Sequence, residues 1–412
     1  MDLTGDAAVR AARAARTSHG RLLALLAAPT GDLPAAEDAL ADAYERALTA
    51  WPRDGVPADP DAWLFTVARN RLRDHWRSAA VRTGVPLDPD RHARAADDTP
   101  DVDAVGDRRL ELMLVCAHPA IDPAVRTPLM LNTVLGLTVA RIAPAFALSA
   151  PTLAARLTRA KKRIKEAGVP FRIPDRDALP GRLDHVLEAV YGVHAVDWEI
   201  GGTEPRTGLT AEALDLAELL ARLVRDSAEA RGLAALIALA AARAPARLDE
   251  RGHPVPPAEQ DTARWDRALI ERGRAHLRAA HALGDIGRFQ LEAAAQAVHC
   301  ARADTGAVAW DHLRELYRHL HRLAPTLGSA TALAAVTAET DGPAAGLALL
   351  EEETTPWGER AARFAPAWAV RAHLLRALGR TGPARTAYDR AVSLTTDPGA
   401  RSRLEDERAA LG

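Results

Sequence analysis

Cysteine is almost absent from this 412-residue chain: Cys116 and Cys300 lie far apart, with no paired motif around either. That excludes a disulfide scaffold and a zinc ribbon, and it fits a reducing cytoplasm. Aromatic residues contribute only 4% of the sequence, and runs of β-branched residues are scarce, so the raw material of strands is missing. No run approaches the ~20 apolar residues of a membrane span. The amino-terminal MDLTGDAAVRAARAARTSHG has no apolar signal core, so we expect neither membrane insertion nor export. Net charge is only −2; any affinity for nucleic acid has to come from local clusters and not from a bulk positive field. Motifs for metal binding and catalysis are missing as well. His276, His281, His299, His312, His319 and His321 fall on different predicted helices or faces, no HExxH occurs, and Cys116 with His118 makes only a C-x-H. With no nucleophile elbow either, we expect no cofactor, no bound metal and no enzymatic activity.

What the chain does have is helix-forming material. Hydrophobic residues make up 48%, enough for real cores, and the dominance of Ala, Leu and Arg favours helix almost everywhere. The expected fold class is all-α, in roughly two to four domains.

Residues 6–28 read as a first helix, and Ala35 to Trp51 as a second. In the second, Leu40, Tyr44 (or Ala43) and Ala47 with Leu48 follow core-facing spacing, leaving Glu37, Asp38, Asp42 and Glu45 as an acidic face. The segment WPRDGVPADPD, residues 51–61, is a polar loop with four breakers. Asp59 or Asp61 is placed to cap the next helix, with Pro60 in its first turn. That helix, AWLFTVARNRLRDHWR (62–77), sets Leu64, Val67, Ala68, Leu72 and His75 or Trp76 on one side and Arg69, Arg73 and Arg77 on another. It is too polar for a core and too aromatic for a merely solvated surface, which suits nucleic acid; a solvated Arg stripe is the plain alternative. Residues 78–106 gather Asp88, Asp90, Asp97, Asp98, Asp101 and Asp103 with Pro and Gly, the composition of a flexible acidic linker.

Beyond it, Asp107 to Ala117 and Pro123 to Leu135 read as helices, followed by a helix-turn-helix pattern in LTVARIAPAFALSAPTLAARLTRAKKRIKEAG. Ile142 and Phe146 point inward, Ala147 and Leu148 turn, and Ser149 caps a last helix with Pro151 in its first turn. Pro144 is expected to end or kink the helix before the turn. On the last helix Leu153, Leu157, Ala160 and Ile164 form a buried stripe, and Thr152, Arg156, Arg159 and Arg163 repeat one position behind. Lys161, Lys162 and Lys165, the three lysines of the whole chain, fall here too. An apolar stripe that fixes the helix beside an Arg stripe that reaches base edges and phosphates is the pattern of a major-groove recognition helix.

An acidic helix, a Pro-rich loop, a basic aromatic helix, an acidic linker and a helix-turn-helix in this order resemble bacterial extracytoplasmic-function (ECF) RNA polymerase sigma factors of the sigma-70 family. ALADAYERALTAWPRDGVPADPDAWLFTVARNRLRDHWR is similar to region 2, and GLTVARIAPAFALSAPTLAARLTRAKKRIKEAGVPFRIP to region 4 of a subgroup with a C-terminal helical extension. WPRDGVP, CAHPAIDP, VPFRIPD and DGPAAGLALL resemble that subgroup's signatures, while Arg141, Pro144 and Ala195 to Trp198 depart from it. The resemblance implies region 2 over residues 1–80, a linker over 81–106, region 4 over 107–175 and a helical extension over 176–412. It implies that Asp38, Asp42 and Glu45 dock on core RNA polymerase. It places Arg53, Asp54, Trp63, Arg69, Asn70 and Arg73 at the −10 element, opened to a single strand, and Thr152, Arg156, Arg159, Lys162 and Arg163 at duplex −35 DNA. Two other readings stay open from sequence: a sigma-like polymerase adaptor without full promoter selection, and a helical-repeat interaction scaffold.

From Leu179 to Leu411 helices follow one another, broken at 226–230, 283–288, 341–343 and 379–383. The last pair fits a tetratricopeptide hairpin, with Ala369, Ala372, Ala384, Ala387, Tyr388 and Ala391 at close-packing positions. An irregular tetratricopeptide-like array is expected, offering a groove to a protein or peptide partner. Residues 245–259, with four prolines, should cross its surface as a loop.

Overall fold

The computed structural model describes residues 18–83, 108–146, 148–175, 177–200 and 209–411, and among them every regular element is helical. The acidic linker is expected to start at 78, but a helix reaches Thr83; only the rest of that linker, with most of the expected first helix and Ala147 of the turn, lies outside the described residues. Two compact units result: Met1–Val193 with Thr207–Glu212, and His194–Arg206 with Ala213–Gly412.

The first unit begins with α1 (His19–Ala27), α2 (Leu33–Asp54) and α3 (Pro60–Thr83). Asp32 caps α2 by accepting from the Ala35 N–H at 3.3 Å, and Asp59, not Asp61, caps α3 by accepting from Ala62 at 2.9 Å. Leu33, Leu40, Ala43, Ala47 and Trp51 of α2 are buried against Leu64, Phe65, Ala68, Leu72 and Trp76 of α3. Sequence spacing expected Val67 on this side, yet Val67 is only half-buried and the larger Phe65 takes its place; of His75 or Trp76, Trp76 is the buried one. Leu48 is also a correction, being 52% exposed.

Helix α2 runs past Trp51 to Asp54, so Arg53 and Asp54 occupy its last turn and not a loop. Pro52 forfeits one backbone donor there, but Arg53 Nε donates to the Thr49 carbonyl at 3.1 Å and Thr49 Oγ1 to that of Arg46 at 2.9 Å. Gly55, at φ +86°, makes the stop.

A second lobe of the same unit contains α4 (Arg109–Cys116), α5 (Pro123–Thr133), α6 (Val139–Ile142) and α7 (Ala150–Glu166). Helix α6 has a single α turn and passes into a 3-10 turn, Ala143–Phe146, as expected where Pro144 has no N–H to continue the ladder. Phe146 is half-buried, whereas Ile142 is 2% exposed. Ser149 caps α7 by accepting from Thr152 N–H at 3.3 Å. Leu153, Leu157, Ala160 and Ile164 are buried. Cys116 is buried beside Thr133, with Sγ and Oγ1 3.5 Å apart, and burial pushes its thiol up to about 12; it is an inert core residue.

Helices α8 (Pro180–Ile200) and α9 (Leu209–Leu223) lead into the array of the second unit. It comprises α10 (Ala228–Ala242), α11 (Arg267–His281), α12 (Arg288–Thr305), α13 (Trp310–Leu323) and α14 (Leu327–Asp341). It ends with α15 (Pro343–Thr354), α16 (Glu359–Ala362), α17 (Ala365–Ala377), α18 (Thr381–Leu394) and α19 (Pro398–Ala409). Most consecutive helices of the array pack against one another, with α17 and α18 closing over Ala372, Ala384, Ala387, Tyr388 and Ala391, each 0% exposed. Small residues let the backbones approach and Tyr388 fills the remaining volume.

The segment 245–259 is covered and not simply superficial. Leu248 and Pro254 form a lone antiparallel bridge, and α19 seats on the segment: Arg403 Nη1 donates to the Pro254 carbonyl at 2.5 Å, Arg251 pairs with Asp406 at 2.9 Å, and His253 Nε2 lies 3.2 Å from Ser402 Oγ. His253 is buried there, and Gln260 is buried beside Arg243, with its amide donating to the Val255 carbonyl at 2.9 Å. The final helix thereby ties itself to the connection between α10 and α11.

One buried histidine gives this unit a pH dependence. His299 is 8% exposed and stands edge-on to Trp310; burial, then the charges of Arg243 and Arg302, hold its imidazole down to about 4 from 6.5. An unfolded chain therefore takes up the proton first as pH falls, and native stability drops between pH 6.5 and 4 by about 3 kcal/mol. Denaturant unfolding at pH 7 and pH 4.5 should show a smaller acid loss in His299→Gln than in the parent chain. Equal losses would remove His299 as the cause.

Candidate nucleic-acid interface

Opposite its buried stripe, α3 presents Trp63, Asn70, Arg73 and Arg77 at spacings of seven, three and four residues, which bring them onto one side of a helix. Asn70 and Arg77 are exposed; Trp63 and Arg73 are half-buried, rooted at their bases. Trp63 is held edge-on by buried Trp51, ring centres 5.6 Å apart, which fixes its plane while leaving part of the indole accessible. Arg69 lies over the Phe65 ring at 5.6 Å. Burial, then the neighbouring charge of Arg73, push the Arg69 guanidinium below its ordinary value. Arg53 and Asp54, exposed at the end of α2, adjoin the turn that leads into this helix.

A second face belongs to α2. Asp38, Asp42 and Glu45 lie opposite that helix's buried stripe, with the exposed Leu48 beside them. Asp42 is braced by Arg71 of α3, Nε to Oδ2 2.6 Å. Glu37, expected to belong to the same acidic face, does not: it is turned aside into an ion pair with Lys161.

The outer side of α7 carries the third group. Thr152, Arg159, Lys162 and Arg163 are exposed and Arg156 is half-exposed. Arg159 folds back to the Ala155 carbonyl at 3.3 Å, and Lys162 pairs loosely with Glu166 at 3.6 Å. Such side chains are held only by solvent-exposed contacts and are free to swing toward a phosphate.

The lysines of α7 divide between two sides. Lys161 and Lys165 turn inward across the unit, Lys161 to Glu37 at 2.7 Å and to Asn132 Oδ1 at 2.9 Å, Lys165 to Asp32 at 2.7 Å. Nothing in sequence spacing pairs residues 124 positions apart, so this contact was not legible beforehand. The only hint was that the lysines sit on more than one side of α7. Among the described residues no group of three or more His, Cys, Asp or Glu is placed to hold a metal ion, and no described helix is long and apolar enough to cross a membrane.

Comparison with known proteins decides the family. Residues 14–82 match Sigma-70 region 2, the span that contains α1, α2 and nearly all of α3. ECF RNA polymerase sigma factor SigL of Mycobacterium tuberculosis is 33% identical over 171 residues, covering 40% of this chain and 93% of SigL. The chain belongs to the ECF RNA polymerase sigma factors. This is a family of transcription factors and not of enzymes. ECF RNA polymerase sigma factor SigC of M. tuberculosis is 28% identical over 138 residues, 32% of this chain and 68% of SigC. The extension of this sigma factor is shared elsewhere: an uncharacterized protein of Rhizobium meliloti (strain 1021), R00370, is 36% identical over 374 residues, 89% of this chain and 87% of that protein. A match of that length has to include most of the helices beyond residue 175. Residues 182–281 match a family of unknown function, DUF6596. No solved structure matches significantly.

Proposed function

We propose that this sigma factor binds core RNA polymerase through α2 and directs promoter-specific initiation, with α3 at the −10 element and the outer face of α7 at the −35 element. The observation that carries the proposal is the two-sidedness of the first lobe. A basic, aromatic sector of α3 and an acidic stripe with exposed Leu48 on α2 both lie opposite one shared buried interface. A surface of the second kind suits a basic protein partner, and one of the first kind suits an opened DNA strand. In this reading Asp38, Asp42 and Glu45 meet the polymerase. Arg53, Asp54 and Trp63 receive an unstacked base, and Arg69, Asn70 and Arg73 hold the strand. The cytoplasm is then its place of work, and the helical array modulates activity in cis or through a protein partner.

Base stacking on an aromatic side chain is worth about 1–3 kcal/mol. Trp63→Ala should therefore reduce permanganate reactivity of −10 thymines in a reconstituted holoenzyme about tenfold, while protection of the duplex upstream persists. Unchanged reactivity would remove Trp63 from strand opening. One observation favours a second reading, a polymerase-binding adaptor without −35 selection: α6, which should buttress the recognition helix, is a single turn followed by a 3-10 turn.

A further inference from the structure

The second unit holds a cavity of its own. Helices α11, α12 and α13, with the turn between α11 and α12, frame a half-open space of about 490 Å³, within the ~300–1,000 Å³ range of small-molecule pockets. Its apolar walls are Leu277, Ile286, Leu291, Ala294 and Leu316. On α11, Arg274, Leu277, Arg278 and His281 follow one another at three, one and three residues, which brings them to one side of the helix. Leu277 and Leu316 stay half-buried, since they face the cavity.

The turn that closes one side is anchored from behind. Gly284 takes φ +80°, and Gly287 packs so closely on α10 that an added Cβ would overlap the Glu229 carboxyl group. Glu229 also accepts from the N–H groups of Phe289 and Gln290, at 3.0 and 3.1 Å. Buried Gln290 holds the turn with its own amide, which donates to the Asp285 carbonyl at 2.6 Å and accepts from the His281 N–H at 3.2 Å. Ile286 is thereby kept at the mouth, 64% exposed, with Leu283 38% exposed in the same turn. An aliphatic side chain of that size gains by leaving water, so its place at an opening suits an apolar ligand. The charge around the cavity has one sign. None of the residues that line it is acidic, and Asp285 of the turn is not among them. Arg274 is committed to Glu271 and Asp304, at 2.8 and 2.6 Å. The Arg278 guanidinium and the His281 imidazole are exposed at the rim, and neither has a hydrogen-bond or ion-pair partner among the described residues.

We propose that this cavity binds an amphipathic organic anion, its apolar body against Leu277, Leu291 and Leu316 and its acid group at Arg278 and His281. Such a ligand matches both parts of the site, an apolar floor and a rim of donors that carry charge-assisted hydrogen bonds. Binding there needs neither polymerase nor promoter DNA, so it stands or falls apart from the −10 and −35 assignments. Isothermal titration calorimetry of the full chain tests it with decanoate as the probe, beside decanol and decyltrimethylammonium, all below their micellar concentrations. The parent chain should bind a single decanoate, decanol at least about tenfold more weakly, and the cation not at all. Arg278→Glu, at an exposed position, should weaken decanoate by at least about tenfold and leave decanol unchanged. Ala294→Trp, which fills the cavity, should remove both, with far-UV circular dichroism confirming that helix content is kept. Ile286→Glu keeps the test open if that variant does not fold: it sets a carboxylate at the exposed mouth and should weaken decanoate more than decanol. No decanoate binding, binding that does not saturate at one equivalent, or parental affinity in Arg278→Glu and Ile286→Glu overturns the site and leaves the groove to a protein helix.

Discussion

Replacing Arg156 and Arg159 together by alanine is expected to weaken holoenzyme binding to a −35 duplex by between about 30-fold and about 10⁴-fold. The range follows from about 1–3 kcal/mol for each side chain that reaches a base edge. Both residues stand on the solvent side of α7, away from Leu153, Leu157, Ala160 and Ile164, so the helix should keep its place when they are shortened. Lys162→Ala provides the contrast. A residue that touches phosphate alone should weaken binding uniformly across sequences and lower the salt slope by about 1. Band-shift titrations on matched and scrambled −35 duplexes separate the two behaviours. Full affinity in Arg156→Ala/Arg159→Ala would show that α7 does not read DNA, and would favour the adaptor.

Glu45→Arg combined with Leu48→Asp should weaken the complex with core polymerase by ~30-fold or more, the scale of about 2 kcal/mol at which a residue counts as an interface anchor. The pair is chosen because both side chains are exposed, so the double variant leaves the buried contact between α2 and α3 untouched. Asp42 is a poorer choice: its ion pair with Arg71 at 2.6 Å means that a reversed charge there also sets two cations together within the lobe. An affinity measurement between labelled core and the variant checks the prediction. Affinity equal to that of the parent chain would move the polymerase contact off this face.

Much of this molecule was legible from sequence for one physical reason: helical periodicity in an Ala-, Leu- and Arg-rich chain exposes its buried stripe. Leu153, Leu157, Ala160 and Ile164 were read from spacing and all four are buried. Ser149 as a cap, and Ala384, Ala387, Tyr388 and Ala391 as packing positions, follow from the same local rules. An apolar stripe covers ~100° of a helix, so spacing does not resolve the residues at its edges: Phe65 takes the interface in place of Val67, Trp76 takes it of the two open choices His75 and Trp76, and Leu48 is left outside. Spacing is blind to contacts between distant segments. By spacing Glu37 belongs to an exposed acidic face and Lys161 to a DNA-facing helix, and only the packing of α7 on α2 brings them together. Helix α2 runs past its expected end to Asp54, carrying Pro52 in its last turn.

The central claim is that this chain makes core polymerase initiate at chosen promoters. Run-off transcription with purified core enzyme on a pool of promoter fragments tests it most directly. The account predicts discrete transcripts that appear only when the chain is added, start downstream of shared −10 and −35 sequences, and disappear with Arg156→Ala/Arg159→Ala. Stable binding to core without initiation on any fragment would contradict it.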